Sequence, residues 1–448
     1  MQGEMPDDLK PRRHLVQDVQ RLEDVEQKHE RVRRLLKETG ADALLLQDPA
    51  SIAWFTAGSD LSRYVADPCQ TSLFVTAEAR LFATNAVDSA LVFEREVFGL
   101  GFQLKQREWF QPHANLISDL IRGRRVISDS GLAGTRGAAR RIIRLRLPLS
   151  PLEVTRLRQL SKVVVHAVEV TARNVRAGVT EAAVAGEVSH RLVRRTVTPV
   201  RIQVCADGRN QRYRHWAYGE DPVARYAAIS CVARRWGLHV AVTRTVVVDK
   251  LPQVLWNAYQ KTLLIHGTAM YFSRHGEQLK TVWPRVRRIY EKFGMASEWQ
   301  LADQADVIGY RCSEIQLTPD SDFTLESPVA VFWHPSAADA MVGDTVLVTN
   351  TGSERLTRST DWPELQVQVR RREVPCPGIL RIGGGDTDSP VSPESASASA
   401  ESSSPPLTLA GPVDVTPRLD SSWEMDVTSG RSIFEDDESP YSEESVLD

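Results

Sequence analysis

Ten histidines, five cysteines and 58 acidic side chains are the chain's stock for proton transfer, nucleophilic attack and metal ligation. An imidazole that titrates near neutrality can take a proton from water and return it to a leaving nitrogen, while carboxylates hold a cationic group or a hard metal ion beside it. The cysteines (Cys69, Cys205, Cys231, Cys312, Cys376) are odd in number, widely spaced and lack a C-x-x-C pair, so neither a disulfide framework nor a structural zinc is expected. No Walker loop, no G-x-G-x-x-G after a strand and no G-x-S-x-G elbow is present, which removes phosphate cradles and the serine-hydrolase arrangement. Arg136, Arg140, Arg141, Arg144 and Arg146 form a basic run without interleaved aromatics. It reads as a solvated helix face, and no nucleic-acid partner is expected.

The elements that must position such groups fit within 448 residues, enough for two domains with proper cores. A hydrophobic fraction of 42% and a charged fraction of 25% are those of a soluble globular chain. The net charge of -3 conceals an asymmetry: residues 384–448 hold 15 acidic residues and two arginines, and the remainder carries an excess of basic residues. An acidic tail on a basic body can solvate it, lie on it or dock a protein partner. The first residues lack an apolar h-region and no run of about 18 apolar residues occurs, so a cytoplasmic protein without a membrane span is expected.

Residues 1–26 are polar and read as a flexible N-terminus, with a helix from near Val25 to a stop at Gly40. Apolar runs at residues 43–46, 71–75, 79–83 and 125–128 read as strands between helical stretches, so 27–148 is expected to be an α/β domain with a mixed or parallel sheet. Ser150-Pro151-Leu152-Glu153 is a capping box that opens a second domain, 149–372. There two helices lead into β-rich segments interrupted by a helical block from Leu251 to Phe293, an α+β arrangement. Residues 373–448 are expected to be a disordered tail rich in Ser, Pro and acidic residues, with Trp423, Phe434 and Tyr441 as a possible docking motif.

Three ordered anchors lie in the second domain: Gly237 to Thr245 (GLHVAVTRT), Val307-Ile308-Gly309, and Gly343 to Thr349 (GDTVLVT). With Arg31 to Leu36, Gly40 to Leu46 and Ile52 to Gly58 in the first half, they resemble the pita-bread family of Xaa-Pro aminopeptidases, Xaa-Pro dipeptidases, methionine aminopeptidase and creatinase. The resemblance covers roughly residues 27–360. It implies a creatinase-like N-terminal domain, a pita-bread domain and, in metal-dependent members, a pair of ions held by two aspartates, a histidine and two glutamates. Counted from the anchors, those five positions hold Ser230, Ala241, Asp306, His334 and Gly343. Alanine and glycine offer no donor, and serine is a weak ligand for hard cations, so no metal and no other cofactor is expected.

The resemblance also implies a cleft histidine at His215, which follows Asp207-Gly208-Arg209-Asn210, and sets a retained Glu314 near Gly309. His215, Asp306, Glu314 and His334 are therefore the candidate catalytic groups, with Arg244, Trp236 and Trp333 as candidate substrate contacts. Two readings follow. In one, a metal-independent, creatinase-like hydrolase cleaves a C–N bond in a small amide or guanidino substrate. In the alternative, an inactive pseudo-peptidase binds a small molecule, a short peptide or a protein, with either tryptophan filling the space left by the metals. Family members commonly dimerise, so a homodimer is the expected assembly.

Overall fold

The computed structural model of the protein describes residues 17–61 and 71–382, so Cys69 and the acidic segment with Trp423, Phe434 and Tyr441 lie outside the described residues. Helix α1 (Val19–Thr39) starts where Asp18 accepts a hydrogen bond from the Arg21 amide at 3.0 Å, and it stops at Gly40 with φ 62°. The stop is the expected one, but the start lies well before Val25. Polarity concealed this turn because its charges are paired inside the protein. Lys28 Nζ lies 2.5 Å from Asp24 and 2.6 Å from Glu153 of the second half, and both partners are buried.

The first half continues through β1 (Ala43–Leu46), α2 (Pro49–Phe55), β2 (Ser72–Val75), β3 (Arg80–Asn85), the short turn α3 (Ser89–Leu91), β4 (Gln103–Arg107), α4 (His113–Ile121), β5 (Val126–Ser128), β6 (Arg136–Gly137) and α5 (Ala139–Arg146). Its six strands run in the order β4-β3-β2-β1-β5-β6. The sheet is mixed, since β1 is antiparallel to β2 and parallel to β5.

The expected capping box is formed at α6 (Pro151–Asn174): the Glu153 amide donates to Ser150 Oγ at 3.2 Å and the Ser150 amide to Glu153 Oε2 at 2.7 Å. Thr180 caps α7 (Glu181–Val193). Then come β7 (Thr198–Ala206), β8 (Tyr226–Arg235), β9 (Leu238–Val247), α8 (Gln253–Phe272) and α9 (Leu279–Lys292). The block expected from Leu251 to Phe293 is thus two helices, separated by a turn in which Gly276 has φ 81°. Strands β10 (Ala305–Ile308), β11 (Ile315–Gln316) and β12 (Val329–Trp333) follow, then the small hairpin β13 (Ser336–Ala337) and β14 (Ala340–Met341), then β15 (Gly343–Thr349) and β16 (Gly352–Arg355). The main sheet runs β11-β10-β12-β15-β9-β8-β7.

A ribbon of β17 (Glu364–Val369) and β18 (Arg372–Pro377) leads to β19 (Leu380–Arg381), which pairs in parallel with β9. The tail expected from residue 373 therefore begins no earlier than the end of this strand. Cys376 is buried, and Tyr259 Oη of α8 donates to the Pro377 carbonyl at 3.0 Å, so these residues are anchored by the body of the domain. Among the described residues no helix is long and apolar enough to cross a membrane.

Candidate functional site

Pairing across the main sheet sets Ser230 opposite Thr243, Thr243 opposite Gly343, and Asp306 opposite Phe332. Side chains alternate along a strand, so Ser230, Ala241, Thr243, Gly343, Phe332, His334 and Asp306 share its inner face. Arg244, Trp333 and Asp344 point the other way. There Arg244 meets Glu169 of α6 at 3.1 Å, and Asp344 meets His266 of α8 at 3.1 Å, which seats both helices on the outer face.

The inner face is filled at its apolar end. Thr243 Oγ1 donates to Ser230 Oγ at 2.9 Å, and Ala241 contributes only a buried methyl group. A Cβ placed on Gly343 would lie 2.7 Å from Thr243 Oγ1 and 3.0 Å from a Phe332 ring carbon. Real Cβ atoms do not approach that closely, so glycine at 343 is required by its neighbours. The Phe332 ring, 2% exposed, takes the room that a side chain at 343 would need.

The polar end is a chain of alternating imidazoles and carboxylates. The His334 ring stacks on Phe332, centroids 4.6 Å apart and 22° between planes, and its Nε2 lies 3.2 Å from Asp306 Oδ2. Ser313 Oγ donates to Asp306 Oδ1 at 2.6 Å. Asp303, in the loop before β10, sets Oδ2 4.0 Å from His334 Nε2 and Oδ1 3.2 Å from His215 Nε2. His215 enters from the loop after β7. That loop is fixed by Asn210, which donates to the Asp339 carbonyl at 2.9 Å, and by Arg214, 2.8 Å from Glu298. The cavity between them, lined also by Arg201, Gln203 and Met341, is about 20 Å³, room for a single water. His215 itself stays largely open, its side chain 63% exposed.

The remaining sequence candidates lie elsewhere. Glu314 does not reach the cleft. It forms a buried pair with Arg146 of α5, and its Oε1 accepts from the Tyr310 amide at 3.0 Å, tying the two halves together. Arg146 correspondingly leaves the solvated face to which the basic run was assigned. Arg244 is a core residue on Glu169, Asp344 at 3.0 Å and the Thr357 carbonyl, with no path to a substrate. Trp333 lies beneath the sheet, donating Nε1–H to Ser273 Oγ at 2.8 Å. Trp236 holds φ 54° in the turn between β8 and β9, stacked between Arg235 at 4.3 Å and Arg156 at 5.3 Å. Neither tryptophan fills the cleft. That role falls to Phe332, and period-two alternation from His334 was the signal for it. Asp303 was also missed, although an Asp three residues before Asp306 is the pattern of two carboxylates converging on one site.

Electrostatics separate these two layers. Burial alone would raise the Asp344 carboxyl, but Arg244, Arg355 and His266 outweigh it and hold it well below the ordinary range. Burial lowers the His239 imidazole from 6.5 to about 4, against the opposing bond to the Gly309 carbonyl at 3.1 Å.

A sequence profile of metallopeptidase family M24 matches residues 155–350. No curated protein sequence matches the chain. Among solved structures, the dipeptidase PepE from Mycobacterium ulcerans superposes with a TM-score of 0.66 at 15% identity, covering 81% of this chain and 99% of that one. Xaa-Pro dipeptidase from Bacillus anthracis gives 0.63 at 18% identity, over 75% and 98% of the two chains. The N-terminal domain of FACT complex subunit SPT16 from Cicer arietinum gives 0.60 at 12% identity, over 76% and 97%. At these identities the likeness is one of fold.

Proposed function

We propose that this chain, a divergent member of metallopeptidase family M24 with the two-domain pita-bread fold, is a catalytically silent pseudo-peptidase that binds a peptide or protein. One observation carries the reading: Phe332 and Thr243 close the inner face over Gly343, leaving about 20 Å³ where a dipeptide would have to sit. The donor set does not fit a metal pair. Gly343 and Ala241 have no ligand atom, and the Ser230 hydroxyl is engaged by Thr243. The hydrolytic alternative rests on His215, exposed and 3.2 Å from Asp303, but it lacks Glu314, which is committed to Arg146.

A binding role has a surface to use. The loop that carries His215 presents Tyr213 and Tyr218, 46% and 49% exposed, with Arg212 stacked on Tyr213 at 5.5 Å. Exposed tyrosine beside arginine is the composition of protein-binding patches, and the positive charge favours an acidic peptide. One of the fold's neighbours is a domain of a FACT complex subunit. A reducing, cytoplasmic setting belongs to this reading, in keeping with unpaired Cys205, Cys231, Cys312 and Cys376.

The test is turnover of Xaa-Pro dipeptides and small guanidino compounds by the purified full chain, with and without added Mn²⁺ or Co²⁺. No turnover above the blank is expected in any condition. Turnover that His215→Ala abolishes would overturn the reading in favour of hydrolysis.

A further inference from the structure

We propose that Asp303, Asp306, His334 and His215 form a mononuclear site for a transition-metal cation of the zinc type, in which two of the five inner-face positions, Asp306 and His334, are joined by Asp303 and His215 from outside that set. Ligand atoms of Asp303, Asp306 and His334 all lie within 4.8 Å of one another, the spread expected of donors around one ion before they close on it. His215 Nε2, 3.2 Å from Asp303 Oδ1, stands at the open side of the same cavity and completes two imidazoles and two carboxylates. Nitrogen and oxygen donors in that number suit zinc, and the mixture is too nitrogen-rich for magnesium or calcium.

A second observation points to a cation. Asp303 and Asp306 are two mostly buried carboxylates on either side of His334, and among the described residues their ion-pair partners are histidines alone. Of the two arginines that line the cavity, Arg214 is engaged by Glu298 at 2.8 Å, and among the described residues no ion pair joins Arg201 to either carboxylate.

The supporting groups are those of an oriented site. Ser313 Oγ donates to Asp306 Oδ1 at 2.6 Å, leaving Oδ2 facing His334, and the Phe332 ring fixes the plane of His334. Such second contacts set the direction of a ligand's lone pair. Ser230, Ala241 and Gly343 play no part, so the site neither restores the metal pair nor requires the chain to be a peptidase. The cation would brace the loop that carries His215 against β10 and β12, beside the aromatic surface.

The experiment uses the full chain, stripped with a chelator and dialysed against Zn²⁺, with bound metal measured by mass spectrometry and affinity by competition with a chromophoric chelator. One equivalent of zinc is expected, with a raised Tm and, after Co²⁺ substitution, the intense visible absorption of a tetrahedral ion. Asp303→Asn and His334→Gln should each weaken zinc by more than the ~10–100-fold that loss of a ligand's outer partner costs. The exposed His275→Ala, elsewhere on the surface, should leave it unchanged. Thermal unfolding without metal shows whether each variant folds, and His215→Ala, on an exposed side chain, serves if a buried one does not. No zinc bound, or one equivalent retained in the folded ligand variants, would overturn the site and leave the proposal of a silent peptidase fold standing. Two equivalents, or turnover on loading, would count against that proposal as well.

Discussion

If Phe332 occupies the space above Gly343, the two positions must be energetically coupled, and a double-mutant cycle measures it. Gly343→Ala drives a methyl group to 2.7 Å from Thr243 Oγ1 and 3.0 Å from the Phe332 ring. Overpacking of this kind costs about 1–3 kcal/mol, offset by ~0.5–1 kcal/mol from the lost freedom of glycine in the unfolded chain, so a net loss of about 1.5 kcal/mol is expected. Phe332→Ala removes a ring that is 2% exposed and should cost about 3–4 kcal/mol. In the double variant the methyl group enters the void left by the ring. The Thr243 contact remains, so the pair should be less destabilised than the two single losses together by about 1 kcal/mol, above the ~0.3–0.5 kcal/mol scatter of independent sites. Urea titration of all four proteins at constant m-value gives the four stabilities. Additivity within that scatter would refute the placement of Phe332, and with it the reason for calling the cleft closed.

Two further outcomes follow from the charges. His239 is buried with its pKa lowered to about 4, so the unfolded chain binds a proton between pH 6.5 and 4 that the folded chain refuses. Stability should fall as pH drops through that window, by about 3 kcal/mol for this group at ~1.36 kcal/mol per tenfold change in proton affinity. His239→Gln should flatten the profile in urea melts, and an unchanged slope would refute the assignment. Asp344, held low by Arg244, contributes stability that is present above the ordinary carboxylate range and is lost as pH falls below it. Asp344→Ala leaves the Arg244 guanidinium, 1% exposed, without that partner and should cost about 3–5 kcal/mol in the same assay. A loss under ~1 kcal/mol would show that Glu169 alone suffices.

Local chemistry carried much of the architecture in readable form. The capping box at Ser150 and Glu153 and the stop at Gly40 depend on contacts within a few residues, and the apolar run of β1 marks a buried strand wherever its partners lie; all three form as expected. What the sequence concealed depends on distant partners. The first turns of α1 look like a polar end until Asp24 and Lys28 are seen against Glu153, over a hundred residues away. Glu314 looked like a cleft acid because its neighbour Gly309 marks the cleft, whereas its side chain turns back toward Arg146. Large side chains were a poor guide to what fills the site. Trp333 has the greater volume, but parity on β12 sends it to Ser273 and gives the inner face to Phe332.

The three anchors have physical causes of their own. Each anchor does a structural job that needs no chemistry in the cleft. Gly237 takes φ 73° in the turn after β8, where a Cβ would lie 2.7 Å from that of Ala53 in the first half. Thr345 Oγ1 donates to the Ala241 carbonyl at 2.8 Å and accepts from its amide at 3.0 Å, locking β15 to β9. Arg244 and Asp344 hold α6 and α8 to the outer face through Glu169 and His266. Removing Thr345, Arg244 or Asp344 leaves buried polar groups unpaired, a cost of about 1–3 kcal/mol each that is a large share of an ordinary domain's stability. The side chains at Ser230, Ala241 and Gly343 add only one hydroxyl bond to these networks, so the inner face can repack around Phe332 while the sheet stays intact. Anchors of this kind, on the outer face, in a turn and between strands, thus report the fold, and turnover by the full chain is what reports on chemistry.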